Sequence, residues 1–191
     1  MKFTSDVDID FGDRSQILSV IEHRRARLET GAAHNTGIYV TDIPYDPVTN
    51  IATIDYNQAE QRGYIKLDFL NVSVYNQIKT EDELQMLLER APPWHKLNQQ
   101  QFCAQLIHIG NHYDTLQRMP EPVDTIPRLA MFLAVIRPGK RHLIGQTWQR
   151  VAETIWQRPD SGYYFKKAHA VSYAHLVQVH MNLLDLTNQG N

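Results

Sequence analysis

The chain has 191 residues, 42 % of them hydrophobic, which is enough for a core and argues against global disorder. A single cysteine, Cys103, excludes an intramolecular disulfide and a cysteine-rich zinc module. Nineteen Lys+Arg against 21 Asp+Glu leave a charge of −2, so composition gives no sign of nucleic-acid binding.

No run approaches the roughly 18 apolar residues of a membrane span, and early acidic residues speak against a secretory leader. The charge total hides an asymmetry. Residues 1–90 carry 9 basic and 15 acidic side chains, and residues 91–191 carry 10 basic and 6 acidic.

Residues 6–11, Asp-Val-Asp-Ile-Asp-Phe, alternate acid and apolar with period two, which predicts a strand with one carboxylate face. Asp13 is placed to cap a helix predicted over 14–29 and stopped by Gly31. Strands are predicted at 37–41, 51–56 and 64–70, with a helical turn near 57–63. From 81 onward the pattern turns helical, over 81–90 (capped by Thr80), 98–107, 126–135, 147–157 and 166–186. The proline-bearing stretch 115–125 is a candidate subdomain boundary, and 159–162 a turn.

On a strand, Asp6, Asp8 and Asp10 share one face at spacings of about 7 Å. Like charges so placed are stable when solvated, partly protonated or bridged by a cation. An all-carboxylate donor set suits Mg²⁺ or Mn²⁺ better than zinc. Asp68, inside the otherwise apolar run 67–70, is the natural third carboxylate of a two-metal site. The same alternation also fits an ordinary solvated strand face. Lys66 is expected on the sheet face opposite Asp68, reaching the site only across a bulge.

Arg137, Lys140, Arg141 and His142 fall in a turn after a helix, as a C-terminal cap or a phosphate clamp. Lys166, His169 and Tyr173 share one face of the last helix, with Lys167 about 100° round. A helix start with cations and the preceding aromatics Tyr163, Tyr164 and Phe165 suits a phosphate-bearing ligand. His108, His112 and Asp114 offer three metal-ligand types in seven residues, although Gly110 disturbs helical His spacing, so a structural turn is expected. Cys103 and the three tryptophans are expected in packing, and His34 in orienting the fold beside the Asp68 strand.

Five segments in order resemble the catalytic core of the C family of bacterial replicative DNA polymerases, the polymerase III alpha subunits. They are Asp-Val-Asp-Ile-Asp-Phe at 6–11 with Asp13 and Arg14, His-Asn-Thr-Gly-Ile-Tyr-Val at 34–40, and Gly-Tyr-Ile-Lys-Leu-Asp-Phe-Leu at 63–70. The last two are Phe-Leu-Ala-Val-Ile-Arg-Pro-Gly at 132–139 and Phe-Lys-Lys-Ala-His-Ala-Val-Ser-Tyr-Ala at 165–174. The resemblance implies that Asp8, Asp10 and Asp68 are catalytic and metal-binding. It further implies that Lys66, Arg137, Lys140, Lys166, Lys167, His169 and Tyr173 bind substrate phosphates. The chain departs from the family in length, with Asp68 only 58 positions after Asp10 and no room for the family's thumb or large fingers. It departs again at Thr36, where the family has glycine, and at Lys166, where it has asparagine.

The expected fold is α+β. A small palm-like nucleotidyltransferase sheet of four or five strands, mixed or antiparallel, occupies 1–79, and a mainly helical portion packed on the same core occupies 80–191. The expected function is a miniature, phage-like, magnesium-dependent DNA polymerase acting on primer-template DNA and deoxynucleoside triphosphates. Two alternatives stand beside it: an inactive accessory protein that binds DNA or a replication protein, and a nucleotidyltransferase or phosphodiesterase acting on a small substrate. A homodimer and a cytoplasmic setting, the host's if phage-encoded, complete the expectations.

Overall fold

The computed structural model describes residues 6–157 and 165–189. The 159–162 turn, Tyr163, Tyr164 and the Asp6 side chain lie outside the described residues. The chain divides into two compact units, residues 1–79 and 80–191.

The first unit is built on a sheet of six described strands, one or two more than the sequence suggests. In chain order they are β1 (Asp6–Phe11), β2 (Arg24–Arg27), β3 (Ala33–Tyr39), β4 (Tyr45–Asp46), β5 (Ile51–Asp55) and β6 (Lys66–Asn71). Their order across the sheet is β1-β6-β3-β2-β5-β4. Pairs β1·β6 and β2·β5 run parallel and the other three antiparallel, so the sheet is mixed.

Two short helices accompany it, α1 (Arg14–Val20) and α2 (Tyr56–Gln61). Asp13 caps α1 by accepting the Ser15 N–H at 2.9 Å, as expected from its side chain. The helix predicted to reach residue 29 stops at Val20, because residues 24–27 are recruited into the sheet. There Arg25 pairs with Ile38 on one side and Ile51 on the other, and Ala26 is fully buried. Pairing on both edges outweighs the good helix propensity of alanine and arginine. Around Ala26 a small core gathers Tyr39, Ile43, Ala52 and Ala59, with Ile54 and Tyr64 packed against it.

The second unit is helical: α3 (Glu81–Glu89), α4 (Gln100–Gln105), α5 (Tyr113–Gln117), α6 (Ile126–Val135), α7 (Trp148–Thr154) and α8 (Lys167–Gln189). Its core sits where α6 meets α8, with Leu129, Phe132, Leu133 and Val135 against Ala170, Ala174, Val177 and Met181. Thr80 caps α3 through the Glu83 N–H at 3.1 Å. The far end of α3 runs into Pro92 and Pro93, which cannot donate to its last carbonyls. Side chains of α8 do so instead: Asn182 donates to Leu87 O and Arg90 O, both at 2.9 Å, and Gln178 to Leu88 O at 2.7 Å.

The stretch 115–125 is not a subdomain boundary. It lies within the second unit, with Leu116, Met119 and Val123 in the main core and the Trp148 indole N–H donating to Glu121 O and Pro122 O. No helix among the described residues is long and apolar enough to cross a membrane.

Candidate functional site

The parallel pairing of β1 and β6 puts Asp8 directly opposite Asp68, with Asp6 opposite Lys66 and Asp10 opposite Leu70. Residues paired in this way project from the same face of a sheet, so Asp8, Asp10 and Asp68 share one face. Their surroundings differ. Asp8 is exposed, Asp10 is half-buried, and Asp68 is buried at 7 % exposure. Asp10 lies within electrostatic reach of Tyr75, whose phenol is pushed above its ordinary value by burial first and by Asp10 second. Arg14 ties the turn after β1 to β6, its side chain donating to Phe69 O and its backbone N–H to Asn71 Oδ1, both at 2.8 Å.

Asp68 is satisfied from both sides. Thr36 Oγ1 donates to Oδ1 at 2.7 Å, and the Lys66 ammonium pairs with Oδ2. This corrects the expected position of Lys66: residues 66 and 68 are two apart in a strand, so they share a face. On β3, Gly37 stands opposite Asp68, and a side chain there would collide with its surroundings. A Cβ would lie 2.9 Å from His34 Nδ1, 2.9 Å from Lys66 Cδ and 3.1 Å from Ala26 Cβ.

His34 Nδ1 accepts the Gly37 N–H at 2.9 Å and the Thr36 N–H at 3.3 Å. That nitrogen therefore carries no proton, and its 3.7 Å separation from Asp68 Oδ1 is not an ion pair. Burial, with Lys66 adding to it, holds the His34 imidazole below its ordinary value against the opposing pull of Asp68. Thr36 and Gly37 shape the immediate surroundings of Asp68, which sequence reasoning did not foresee. The departure from glycine at 36 was visible, but its partner lies 32 residues away.

Tyr39, on the same face as Gly37, is 1 % exposed, and its hydroxyl has no hydrogen-bond partner among the described residues. Burial, then Asp68, Asp55 and Glu60, pushes the phenol up to about 12. A hydroxyl buried without a partner is a net cost, so Tyr39→Phe is expected to leave stability unchanged or raise it by up to about 1 kcal/mol. A urea midpoint that drops in the variant would show that the hydroxyl is bonded after all.

In donor chemistry the carboxylate face fits a hard divalent cation. In geometry it is not closed around one: among the described residues no group of three or more His, Cys, Asp or Glu side chains is arranged to hold a metal ion. Both oxygens of Asp68 are taken by Thr36 and Lys66. Among the described residues, His108, His112 and Asp114 form no such group either.

In the second unit the candidate residues form an aromatic and cationic cluster. The Arg137 guanidinium lies 4.5 Å from the centre of the Phe165 ring. His169 meets Phe165 and Tyr173 edge-on at 6.4 and 6.1 Å. Tyr173 stacks on His108 at 4.4 Å, a contact across 65 positions that nothing in the sequence announces. His108 takes a left-handed backbone with φ of 66°. Burial holds its imidazole and that of His112 low, helped by Arg137 at His108 and by Arg141 and Arg137 at His112.

Lys140 is engaged in the fold, donating to Thr154 O at 3.1 Å and Gln157 O at 3.0 Å beyond α7. Lys167 is exposed in the first turn of α8, and Lys166 just before it is half-buried. Cys103 is buried, donates to Leu97 O at 3.1 Å and has its thiol raised to about 11 by burial.

Neither the protein-family models, nor the curated proteins, nor the solved structures contain a match to this chain.

Proposed function

We propose that the first unit is a small palm-like nucleotidyltransferase centre and that the chain is a miniature, phage-like relative of the C-family replicative polymerases. The reaction is attack of a primer 3′-oxygen on the α-phosphorus of a deoxynucleoside triphosphate. The new P–O bond forms as the α–β bond breaks, pyrophosphate leaves, and the 3′-hydroxyl gives up its proton. The observation that carries this reading is the β1·β6 register, which sets Asp8 against Asp68 with Asp10 on the same face. The five ordered motifs of the sequence support it.

Asp8, Asp10 and Asp68 are the residues that would hold Mg²⁺ or Mn²⁺, which supplies charge stabilisation and a more acidic 3′-hydroxyl. On the same reading Lys66, Arg137, Lys140, Lys166, Lys167, His169 and Tyr173 are the phosphate-binding groups. In support of this reading, Lys167 is exposed, and Arg137, His169 and Tyr173 gather around the Phe165 ring.

Primer extension with Mg²⁺ tests the proposal. The wild type is expected to add nucleotides, and the double variant Asp8→Asn, Asp10→Asn to lose at least about a thousand-fold in rate. A clean wild-type preparation that extends no primer overturns it. The engagement of Asp68 by Lys66 and Thr36 favours a second reading, an accessory protein that binds DNA or a replication protein without catalysis. That reading predicts equal DNA retention by wild type and double variant, and no extension by either.

A further inference from the structure

The carboxylate face carries its own cation. Lys66 lies beside Asp68 with 13 % of its side chain exposed against 10 % for the carboxylate. Its aliphatic stem crosses above Gly37, where the absence of a Cβ leaves the room. The second oxygen of Asp68 is fixed independently by the Thr36 hydroxyl at 2.7 Å. Asp8, across the strand pair, is exposed on the same face. The arrangement thus sets the buried Asp68 and its ammonium partner beside the exposed Asp8, with a flexible four-carbon tether on that partner.

We propose that Lys66 is a built-in counter-cation that a divalent ion must displace from Asp68, while Thr36 holds the carboxylate in place through the exchange. The proposal rests on the reading of Asp8, Asp10 and Asp68 as a metal site and adds its regulation. An ammonium and a divalent ion cannot share one carboxylate oxygen. Their mutual repulsion at the separations of one carboxylate persists even at an effective dielectric of about 20. The resident lysine therefore lowers metal affinity and keeps the buried Asp68 neutralised when no metal is bound. Thr36 has the opposite effect. It points a neutral donor at Oδ1, leaving Oδ2 as the oxygen over which lysine and metal compete.

Two measurements on the full chain test the exchange. The first is Mn²⁺ binding followed by electron paramagnetic resonance in the wild type and in Lys66→Gln, which keeps a donor for Asp68 but removes the charge. The variant is expected to bind Mn²⁺ about ten-fold tighter. Equal or weaker binding by a folded variant overturns the proposal while leaving the metal-site reading intact. No Mn²⁺ binding by either protein overturns both.

The second measurement needs no substitution at 66. Reductive methylation of the wild type, read at each lysine by mass spectrometry, is expected to modify Lys66 several-fold faster with Mg²⁺ than without. In Asp8→Asn, Asp10→Asn the rate at Lys66 is expected not to respond to Mg²⁺. A wild-type rate that Mg²⁺ leaves unchanged or slows counts against displacement.

Discussion

Gly37→Val is expected to cost the first unit about 3 kcal/mol, the upper end for overpacking a fitted interior, and to dismantle the surroundings of Asp68. Three neighbours meet the new Cβ, and they yield unequally. The Lys66 stem, 2.9 Å away at Cδ, can swing out, but only by leaving Asp68. His34 Nδ1, also at 2.9 Å, is pinned by the N–H groups of Gly37 and Thr36. Ala26 Cβ, at 3.1 Å, is fixed to the adjacent strand and cannot yield without moving β2. Valine's γ carbons then enlarge the conflict. Two gains oppose it: valine suits a strand by up to about 1 kcal/mol, and losing glycine narrows the unfolded ensemble by a further 0.4–1 kcal/mol or so. Steric cost wins.

Gly139→Ala is the internal control. Among the described residues nothing beyond its immediate chain surroundings lies within 4 Å of its prospective Cβ, so that substitution is expected to be neutral or mildly stabilising. Urea midpoints of the two variants against wild type check the pair. A Gly37→Val protein as stable as wild type would mean that β2 and β3 are less tightly apposed than their register implies.

How far the fold could be read from sequence depended on whether the controlling partner was local. Helix α6 was legible to the residue, since Thr125, Pro127 and an unbroken apolar run mark its start and body. Strand β1 was equally plain, because an edge strand with a polar face keeps a strict alternation. Strand β2 was hidden: three arginines around one alanine carry no strand signal, and only pairing with β3 and β5 makes them extended.

The same division runs through the candidate site. Asp8 and Asp10 announce themselves by spacing and Asp68 as the lone acid of an apolar run, and their register across β1 and β6 follows once those strands are parallel. The groups that decide the state of Asp68 do not. Thr36 reaches it from a neighbouring strand, Gly37 acts through an absent side chain, and Lys66 was misplaced by treating a two-residue step as a change of face. In the second unit the charge of Lys140 was visible in the sequence, whereas the carbonyl groups of Thr154 and Gln157 that it meets were not.

Acid is expected to weaken the protein well above the carboxylate range. Four imidazoles, those of His34, His108, His112 and His180, are held below their ordinary value of 6.5, each chiefly by burial. For such a base the unfolded chain takes up the proton first as pH falls. Stability is therefore complete above the unfolded value near 6.5 and is lost as pH drops from there through the folded values.

His34 and His180 have a structural reason beyond burial. Nδ1 of His180 accepts the Ile107 N–H at 3.1 Å, as that of His34 accepts the Gly37 N–H. A proton on either nitrogen would set donor against donor. Each imidazole contributes at most about 1.4 kcal/mol per pH unit within its window, and the less deeply buried His34 and His112 contribute less. The paired carboxylate Asp185, held low first by Lys96 and then by Arg90, keeps its full stabilising effect above 3.8 and loses it only as pH falls below that, so it does not confuse the window. Urea midpoints at pH 7.5, 6.5 and 5.5 should be level between the first two and fall at the third. His180→Gln, whose amide oxygen can still accept the Ile107 N–H, should flatten part of that fall. A midpoint that stays constant down to pH 5 would mean that these imidazoles are protonated in the folded chain, and with them the hydrogen bonds that orient β3 beside Asp68 would have to be redrawn.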